Sequence, residues 1–278
     1  NTTGAHSLKY GKTDAYVEEI EVVLSDATVA TLGEVTLEEL SAGADPEGDA
    51  EERVYAVAER IIEEESGAVS EAFPSIKRNV SGYNLDVLVE EAEQVRDPDD
   101  PRETVNLARL MVGSEGTLAV VTEAVLSLEP VPNQKAIGFL TYDSHIQAME
   151  DVGAILDHDP AAVEVLDGVL LDLARDLEEF NDVVGKLPER TDSFLLVEFY
   201  ADDDDAREEV TGLLEDRVGD IAFDGMEAYS KEEQKEFWKM RKASTPILLS
   251  RTSDAKHIAF IEDIAVPPEH LPEYIQDF

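Results

Sequence analysis

Residues 111–132 read MVGSEGTLAVVTEAVLSLEPVP, and residues 113–116 form a polar, glycine-flanked turn inside this stretch. A short apolar run precedes the turn, and a long run rich in β-branched residues follows it, which is typical of a strand. Glycine permits positive φ and lets the backbone approach a ligand closely. Ser114 and Glu115 offer a hydroxyl and a carboxylate to hydroxyl groups of a ligand, and free backbone N–H groups suit a phosphate. Taken alone, such a segment is more often just a turn.

The chain combines an ordinary length with an extreme acidic charge. It has 278 residues and 43% hydrophobic residues, enough for two domains with buried cores. Asp and Glu number 64 against 22 Lys and Arg, for a formal net charge of −42. This charge disfavours nucleic acid as a partner, because little basic surface is available to neutralise phosphates. The acidic residues are spread over the whole chain, which predicts a cytoplasmic protein of a salt-loving, haloarchaeal-like organism.

The chain lacks sequence signals for membranes and disulfides. No apolar run reaches the roughly 18 residues that a spanning helix needs, so no transmembrane segment is expected. Cysteine is absent, which excludes disulfides and thiol catalysis within these residues and fits a reducing cytoplasm. The chain opens Asn1-Thr2-Thr3-Gly4, without an initiator methionine or a signal-peptide pattern. We therefore expect it to be an internal fragment of a longer polypeptide.

The first 132 residues predict a mixed domain of strands and helices. The predicted elements are a hairpin over 20–32 that turns at Ser25-Asp26-Ala27, a loop over 34–50, an amphipathic helix over 54–62, a proline-punctuated loop over 92–103, and a strand or pair of strands over 118–128.

Strands and helices alternate after Pro132, so residues 133–278 predict a second domain. Strands are expected over 137–142, 163–166, 194–200 and 258–266, and helices over 146–156, 168–178, 210–218 and 230–249. The last helix begins at a capping box formed by Ser230 and Glu233. This alternation predicts an α+β domain in which helices cover one face of a sheet.

Three blocks of sequence resemble a flavoprotein family. Asn1–Gly11 (NTTGAHSLKYG), Lys77–Leu88 (KRNVSGYNLDVL) and Gly113–Thr122 (GSEGTLAVVT) resemble the FAD-linked oxidases of the vanillyl-alcohol-oxidase type. The branch that looks most similar contains D-lactate, glycolate and D-2-hydroxyglutarate dehydrogenases. The resemblance implies an α+β fold, with the second half of a VAO/PCMH-type FAD-binding domain over 1–132. A cap domain with an antiparallel sheet covered by helices would follow over 133–278, incomplete at its C-terminus.

The resemblance also implies FAD as the cofactor, with two of these blocks lying along it. The expected FAD-binding residues are Gly4, Ala5, His6, Ser7, Gly11, Gly113, Ser114, Glu115, Gly116, Val120 and Val121. On this interpretation, the glycines beside Glu115 let the backbone press against the cofactor. Two assignments stay open. A structural hydrogen bond explains His6 equally well, and Asn84 fits either the flavin pocket or a helix cap.

Arg241, Thr245 and Lys256 are the expected substrate-binding residues. Arg241 and Thr245 stand four residues apart, which places them on one helix face. A guanidinium binds a carboxylate through two N–H groups. Lys256 occupies the position where the resemblance implies a further carboxylate-binding lysine. Two alternatives stay open: a surface salt bridge of Arg241, for instance with Glu236, and a helix bend at Thr245 before Pro246.

The other candidate side chains favour structural roles. Phe237 and Trp238 are expected in the core rather than as a stacking platform. No metal site is expected in this chain, because the remaining histidines lack paired ligand spacing: His145, His158, His257 and His270.

The activity implied by the resemblance is oxidation of a small D-2-hydroxy acid by FAD. A hydride would pass from C2 to flavin N5 while a base takes the hydroxyl proton. The family's pyrophosphate-binding glycine loop and its metal-binding histidine motif find no match here. The base and a divalent metal are therefore expected beyond Phe278, and this chain alone is expected to be inactive. An iron–sulfur or quinone partner would accept the electrons and allow peripheral association with a membrane.

Two other functions stay open. The first is a non-catalytic, flavoprotein-derived interaction module that docks a redox partner. The joint presence of Arg241, Thr245 and Lys256 argues against that module. The second is a relative such as an ether-lipid synthase, which shares the flavin motifs and uses FAD differently.

Overall fold

The backbone divides near Pro130 into two units, each with its own buried residues. The computed structural model describes residues 1–76, 79–201, 205–249 and 264–277, with side chains up to Ala243 in the third range. The first unit comprises Asn1–Gly4 and Gly11–Pro130, and the second comprises Ala5–Tyr10 and Val131–Phe278. The short segment Ala5–Tyr10, which lies inside the predicted first domain, thus belongs to the second unit.

The described residues form twelve α-helices and nine strands. The helices are α1 (Ser7–Tyr10), α2 (Leu37–Gly43), α3 (Ala50–Arg60), α4 (Ser66–Ala72), α5 (Leu85–Arg96), α6 (Ala108–Met111), α7 (His145–Leu156), α8 (Gly168–Arg175), α9 (Asn181–Val184), α10 (Asp205–Arg217), α11 (Lys231–Leu249) and α12 (Leu271–Asp277). The strands are β1 (Val17–Val23), β2 (Val29–Leu32), β3 (Glu34–Val35), β4 (Val105–Asn106), β5 (Val120–Leu126), β6 (Gln134–Tyr142), β7 (Ala162–Leu166), β8 (Ser193–Ala201) and β9 (Asp224–Ala228).

A three-stranded antiparallel sheet, in the order β2-β1-β5, forms the centre of the first unit. The predicted hairpin is confirmed, because Ile20 pairs with Leu32 and Val23 with Val29. In its turn Ala27 has φ 71°, a conformation that glycine adopts more readily. Residues 118–128 contain one strand, β5, rather than a pair. It pairs with β1 on the side opposite β2.

Two segments that were predicted to be loops contain helical residues, those of α2 and the end of α5. Residues 34–50 contain α2, which starts at a reciprocal capping box between Thr36 and Glu39. Residues 92–96 belong to α5, whose buried residues Leu88, Val89 and Ala92 face the core. Acidic composition hid α2, although the capping-box spacing was present in the sequence. The predicted helix over 54–62 is confirmed as α3, which continues into a π-helical turn over Ile61–Glu65.

A four-stranded antiparallel sheet in the order β7-β8-β6-β9 organises the second unit. Helix α7 connects β6 to β7, and α10 connects β8 to β9. This order and connectivity form a split β-α-β arrangement of the ferredoxin-like kind. Strands β6, β7 and β8 and the start of α11 at Ser230 and Glu233 confirm the predictions for those segments.

Helices cover both faces of this sheet, whereas the sequence predicted cover on one face only. Ile137, Phe139 and Phe194 pack with residues of α8, α9 and α11. Leu140, Leu195 and other residues of the same strands pack on the opposite face with α7, α10 and α12. A strand that is buried on both faces reads as a continuous apolar run, and FLLVEFY has that pattern. The near-continuous runs of β6 and β8 were therefore the signal for two helical layers.

Three elements after Pro132 lay outside the predictions, namely α9, β9 and α12, and one predicted strand lies largely outside the described residues. Strand β9 contains two acidic residues and a glycine, and α12 follows two prolines, so neither had a strong pattern. The strand predicted over 258–266 falls mostly outside the described residues. Its last three residues, 264–266, are irregular.

Candidate functional site

The first unit brings together described residues from all three sequence blocks that carry the flavoprotein resemblance, whereas Ala5–Tyr10 of the first block belongs to the second unit. Asn1 donates from Nδ2 to Oδ1 of Asn84 at 3.2 Å. Asn84 is buried, and its own Nδ2 donates to the carbonyls of Arg109 and Val112, each at 3.0 Å. Asn84 therefore fastens the first block to the backbone that enters the Gly113 turn. It is also the N-cap residue of α5, so the helix-cap alternative holds for its position, although its side chain makes no capping hydrogen bond there.

The Gly113–Gly116 turn contains three left-handed residues. Gly113, Glu115 and Gly116 have φ of 94°, 52° and 75°. A Cβ on Gly113 would lie 3.2 Å from the carbonyl oxygen of Gly82 and 3.3 Å from Cβ of Asn1. Gly113 is therefore closely approached by other parts of this chain, and contact of the turn with a cofactor stays a prediction. Gly116 has no heavy atom within 4 Å of its Cβ position, so that side of the turn is open.

Strand β5, which follows the turn, exposes its apolar residues. Val120 is 66% exposed and Val121 52% exposed, and Val125 and Leu126 are also exposed. The turn and the strand together offer surfaces for different parts of FAD. The glycine turn with its exposed Glu115 suits polar groups, although Ser114 is buried, and an exposed apolar strand suits a flat ring system. The residues present in the first unit therefore fit a flavin cofactor.

In the second unit, the residues expected to bind FAD lie on and beside α1. Gly4 and Gly11 flank this segment, and Gly11 has φ 69°. Ser7 is buried, and its Oγ has no hydrogen-bond partner among the described residues. A buried hydroxyl in this state needs an acceptor or donor to offset its desolvation. Ser7 is thus compatible with contact to a cofactor, as predicted.

His6 binds a buried carboxylate that the sequence analysis missed. Its Nε2 lies 2.5 Å from Oε2 of Glu198 on β8, and Trp238 donates from Nε1 to Oε1 of the same carboxylate at 3.1 Å. The His6 ring also stacks on Tyr200, with 5.6 Å between ring centroids, and packs against Trp238. The structural hydrogen bond considered for His6 is confirmed. Its contact with FAD stays a prediction.

Glu198 is a charged group on a largely apolar sheet face. It is 2% exposed. Burial works to raise its pKa, but hydrogen bonds from His6, Tyr200 and Trp238 outweigh burial and leave the pKa below the ordinary value. An ionised carboxylate only accepts hydrogen bonds, so a neutral His6 carries its hydrogen on Nε2.

Tyr200 and Lys135 extend this network towards solvent. Lys135 donates from Nζ to the Tyr200 hydroxyl at 3.2 Å, and its Nζ lies 4.3 Å from the ring centroid. Burial, followed by the charge of Glu198, raises the pKa of Tyr200 well above its usual range. Tyr200 therefore stays protonated and continues to donate to Glu198 at physiological pH.

Arg241 lies on α11, and it pairs with Glu164 of β7. Nε of Arg241 donates to Oε2 of Glu164 at 2.5 Å, and the two side chains are 37% and 13% exposed. A salt bridge of Arg241 is therefore present, although it joins α11 to β7 rather than two residues of one helix, and its role toward a substrate stays a prediction. Thr245 lies on α11, but its side chain falls outside the described part of the chain, as does Lys256 entirely.

Two acidic residues, Glu164 and Glu198, are the functional candidates that the sequence analysis did not identify. One signal was available: Glu198 interrupts the apolar run FLLVEFY of a strand that is otherwise buried. A charged residue is rarely buried unless it is paired. Glu164 had no comparable signal, because alternation along AVEVL also fits an exposed position. Phe237 is a core residue as predicted, whereas Trp238 uses its indole N–H in the site.

The other sequence predictions concern metals and membranes. Within the described residues, no group of three or more His, Asp or Glu side chains is arranged to hold a metal ion. His145 and His158 lie near Asp192 and Asp216, at 3.6 and 3.2 Å. No helix among the described ranges combines the length and the apolar character needed to cross a membrane.

Comparisons with known proteins identify relatives of both units. The family model described as FAD linked oxidases, C-terminal domain, matches residues 131–278, just over half of the chain. Over 294 aligned residues the chain is 28% identical to D-2-hydroxyglutarate dehydrogenase of Pantoea ananatis, covering 100% of this chain and 27% of that protein. The corresponding Escherichia coli enzyme is 27% identical, with 100% and 27% covered. The chain thus spans about a quarter of the length of these relatives.

Two further comparisons extend the list. The mitochondrial D-lactate dehydrogenase [cytochrome] of Arabidopsis thaliana is 27% identical over 213 residues, covering 76% of this chain and 36% of that protein. A solved structure of alkyldihydroxyacetonephosphate synthase is 17% identical with a TM-score of 0.47, covering 89% of this chain and 35% of that one.

Proposed function

We propose that this chain, which belongs to the FAD-linked oxidases through their C-terminal domain, takes part in the oxidation of a small D-2-hydroxy acid. The observation that carries the proposal is Arg241, whose guanidinium is held by Glu164 within the matched domain. Relatives named D-2-hydroxyglutarate and D-lactate dehydrogenase support this substrate class.

In this proposal Arg241 binds the substrate carboxylate through its guanidinium fork. Thr245 and Lys256 are proposed to add a hydroxyl and a second cation. Fixing the carboxylate limits the orientations of C2, and correct orientation of the reacting C–H bond is a large part of the rate advantage. The C2 hydrogen leaves as hydride, and the hydroxyl proton goes to a base, which we place beyond Phe278.

FAD, when bound, supplies the acceptor for this hydride. The residues proposed to hold it are the Gly113–Gly116 turn with Val120 and Val121 in the first unit, and the segment from Gly4 to Gly11. The open side of Gly116 and the unpartnered Oγ of Ser7 support these assignments.

We also propose that the activity belongs to a longer protein. The chain aligns to 27% of the Pantoea ananatis relative. Strand β5 exposes every one of its residues, although its composition is typical of a covered strand. An iron–sulfur or quinone group is the proposed electron acceptor, in the cytoplasm of a halophilic organism, with peripheral membrane contact through that acceptor.

The first test is FAD binding by this chain in about 1 M KCl, where screening is strong. Flavin fluorescence and the visible band are followed during the titration. Stoichiometric quenching supports a flavin cradle within these residues. If a folded chain does not bind FAD, the flavin-binding site requires segments of the longer protein.

The second test is turnover by the complete FAD-loaded protein with D-2-hydroxyglutarate, D-lactate and glycolate and an artificial electron acceptor. Arg241→Gln should reduce kcat/KM about a hundredfold or more, because a charged hydrogen-bonding group on the substrate loses its partner. Arg190→Gln is the control, since Arg190 forms an exposed pair with Asp143 at 3.6 Å. Absence of turnover with all three acids would contradict the proposal and favour the interaction module.

A further inference from the structure

We propose that Glu164 is a positioning residue, which holds Arg241 in the orientation that receives the substrate carboxylate. The inference rests on the proposed function, because it concerns the guanidinium assigned there. Glu164 lies in the middle of β7, and its Oε2 accepts from Nε of Arg241 at 2.5 Å. The hydrogen bond therefore ties a side chain of α11 to the sheet.

The position of Glu164 in the sheet calls for a functional explanation. It lies on the same face of β7 as Leu166, which is buried beneath α8 and α11. Its cross-strand partner is Leu196, which is fully buried. A carboxylate in such surroundings is costly unless it is paired, and an apolar residue would fill this position at lower cost.

Glu164 and Glu198 act on the same stretch of α11. Glu164 pairs with Leu196 and Glu198 with Ala162, so the two glutamates are diagonal neighbours on one sheet face. They bind Arg241 and Trp238, which stand three residues apart and thus on one side of the helix. Two fixed carboxylates on adjacent strands therefore set the position of this part of α11.

The Nε contact constrains the whole guanidinium. The group is planar, so a hydrogen bond that fixes the Nε–H direction also fixes the plane and the direction of the Nη edge. Arginine otherwise samples many rotamers, and ordering it when substrate binds would weaken affinity. Glu164 is the more buried partner, with 13% of its side chain exposed against 37% for Arg241, so the carboxylate is the more firmly anchored group of the pair.

A competing interpretation makes the opposite prediction. If Glu164 occupied the place of the substrate carboxylate, it would act as an internal competitor. Its removal would then lower KM. If Glu164 positions Arg241, its removal raises KM and also lowers kcat, because the reacting C–H bond is no longer held in place.

Steady-state kinetics on the complete FAD-loaded protein separates these two outcomes. Glu164→Ala should raise KM for the 2-hydroxy acid about tenfold or more, with a lower kcat. Glu164→Gln should recover most of both values, since its amide oxygen still accepts from Nε. Glu179→Gln is the matched control, because Glu179 also pairs with α11, at Lys239, but in an exposed contact of 3.3 Å. An unchanged or lower KM for Glu164→Ala would overturn the proposal.

A ligand-free measurement on this chain keeps the inference separate from the proposed function. The Arg241 Nε–H signal in a ¹⁵N spectrum can be assigned by its loss in Arg241→Lys. We expect slow exchange with water in the wild type and in Glu179→Gln, and fast exchange in Glu164→Ala. If the Nε–H group of Arg241 exchanges with water at the same rate in all variants, Glu164 does not restrain Arg241. If the wild type oxidises no 2-hydroxy acid, the proposed function fails, and this spectrum still decides the structural part.

Discussion

Trp238 on α11 and Glu198 on β8 are joined by a 3.1 Å hydrogen bond from the indole Nε1 to Oε1. The other carboxylate oxygen binds His6, so one buried side chain connects a helix, a strand and the α1 segment. Trp238 is the only tryptophan in the chain, which makes its fluorescence a specific probe of this contact.

Replacing Glu198 by Ala should destabilise the second unit by about 3 kcal/mol, because the partly buried donors of Trp238, Tyr200 and His6 lose their buried acceptor. Urea unfolding in molar KCl, followed by tryptophan fluorescence, measures the change. Glu227→Ala is the control. Glu227 accepts from Tyr229 in an exposed contact, so its loss should cost less than about 0.5 kcal/mol. Equal effects of the two variants would contradict the role of Glu198.

Asp151 makes a second buried network on the opposite face of the sheet. It is fully buried, and it accepts from the Tyr142 hydroxyl at 2.7 Å and from Nε of Arg217 at 2.8 Å. Asp151→Ala should cost about 3–5 kcal/mol, because Arg217 keeps a largely buried charge without its main partner. Asp220→Ala removes an exposed partner of the same Arg217 and should cost less than about 1 kcal/mol. Thermal melts of both variants provide the comparison.

Tyr142 should make stability fall at alkaline pH. Burial, followed by the charge of Asp151, raises its pKa far above the ordinary value of 10.0. Above pH 10 the unfolded chain therefore releases a proton that the folded protein retains, and unfolding becomes more favourable as pH rises. Tyr142→Phe lacks this proton. The stability difference between wild type and variant should shrink between about pH 10 and 11, measured by urea midpoints at each pH. A constant difference would refute the shift.

The hairpin turn offers a gain in stability. Ala27 has φ 71°, which strains a residue with a Cβ. Ala27→Gly should stabilise the first unit by about 0.5–1 kcal/mol after the entropy cost of glycine. Ala30→Gly, at a buried strand position two hydrogen-bonded pairs from the turn, should destabilise it. Urea denaturation monitored by circular dichroism tests the expected gain for Ala27→Gly and the expected loss for Ala30→Gly.

Salt should determine whether the chain stays folded. A net charge of −42 produces strong self-repulsion at low ionic strength. The Debye length is about 3 Å at 1 M salt and about 30 Å at 0.01 M. We expect loss of the far-ultraviolet circular dichroism signal on dialysis from molar KCl into dilute buffer, and recovery in KCl. An unchanged spectrum in dilute buffer would contradict the halophile hypothesis.

Local sequence patterns predicted those parts of the fold that local interactions determine. The β1–β2 hairpin followed from alternating residues around Asp26, and the start of α11 followed from Ser230 and Glu233. The continuous apolar runs of β6 and β8 predicted strands, but their two-sided burial was not recognised. Helix α2 was missed because its acidic composition outweighed its capping box.

The candidate site depended on contacts that no local pattern contains. Glu164 meets Arg241 across 77 positions, and His6 meets Glu198 across 192. Both contacts require the register of β7 against β8, in which Glu164 faces Leu196. The resemblance to a flavoprotein family identified Arg241 and His6 as candidates. Glu198 was visible in the sequence only as a charge inside an apolar run, and the pairing of both acids could be found only in the folded structure.

The segment Ala5–Tyr10 means that neither unit is a continuous stretch of chain. A polypeptide cut at Val131 would retain Glu198 and Trp238 and lack the imidazole that shares their carboxylate. The two units therefore cannot be separated by a single backbone cleavage without loss of a partner. Completing the second unit also requires pairing of residues almost 200 positions apart, and such distant contacts form late, because a long loop must close first. During synthesis, α1 can therefore pack against β8 and α11 only after both of those elements have been made.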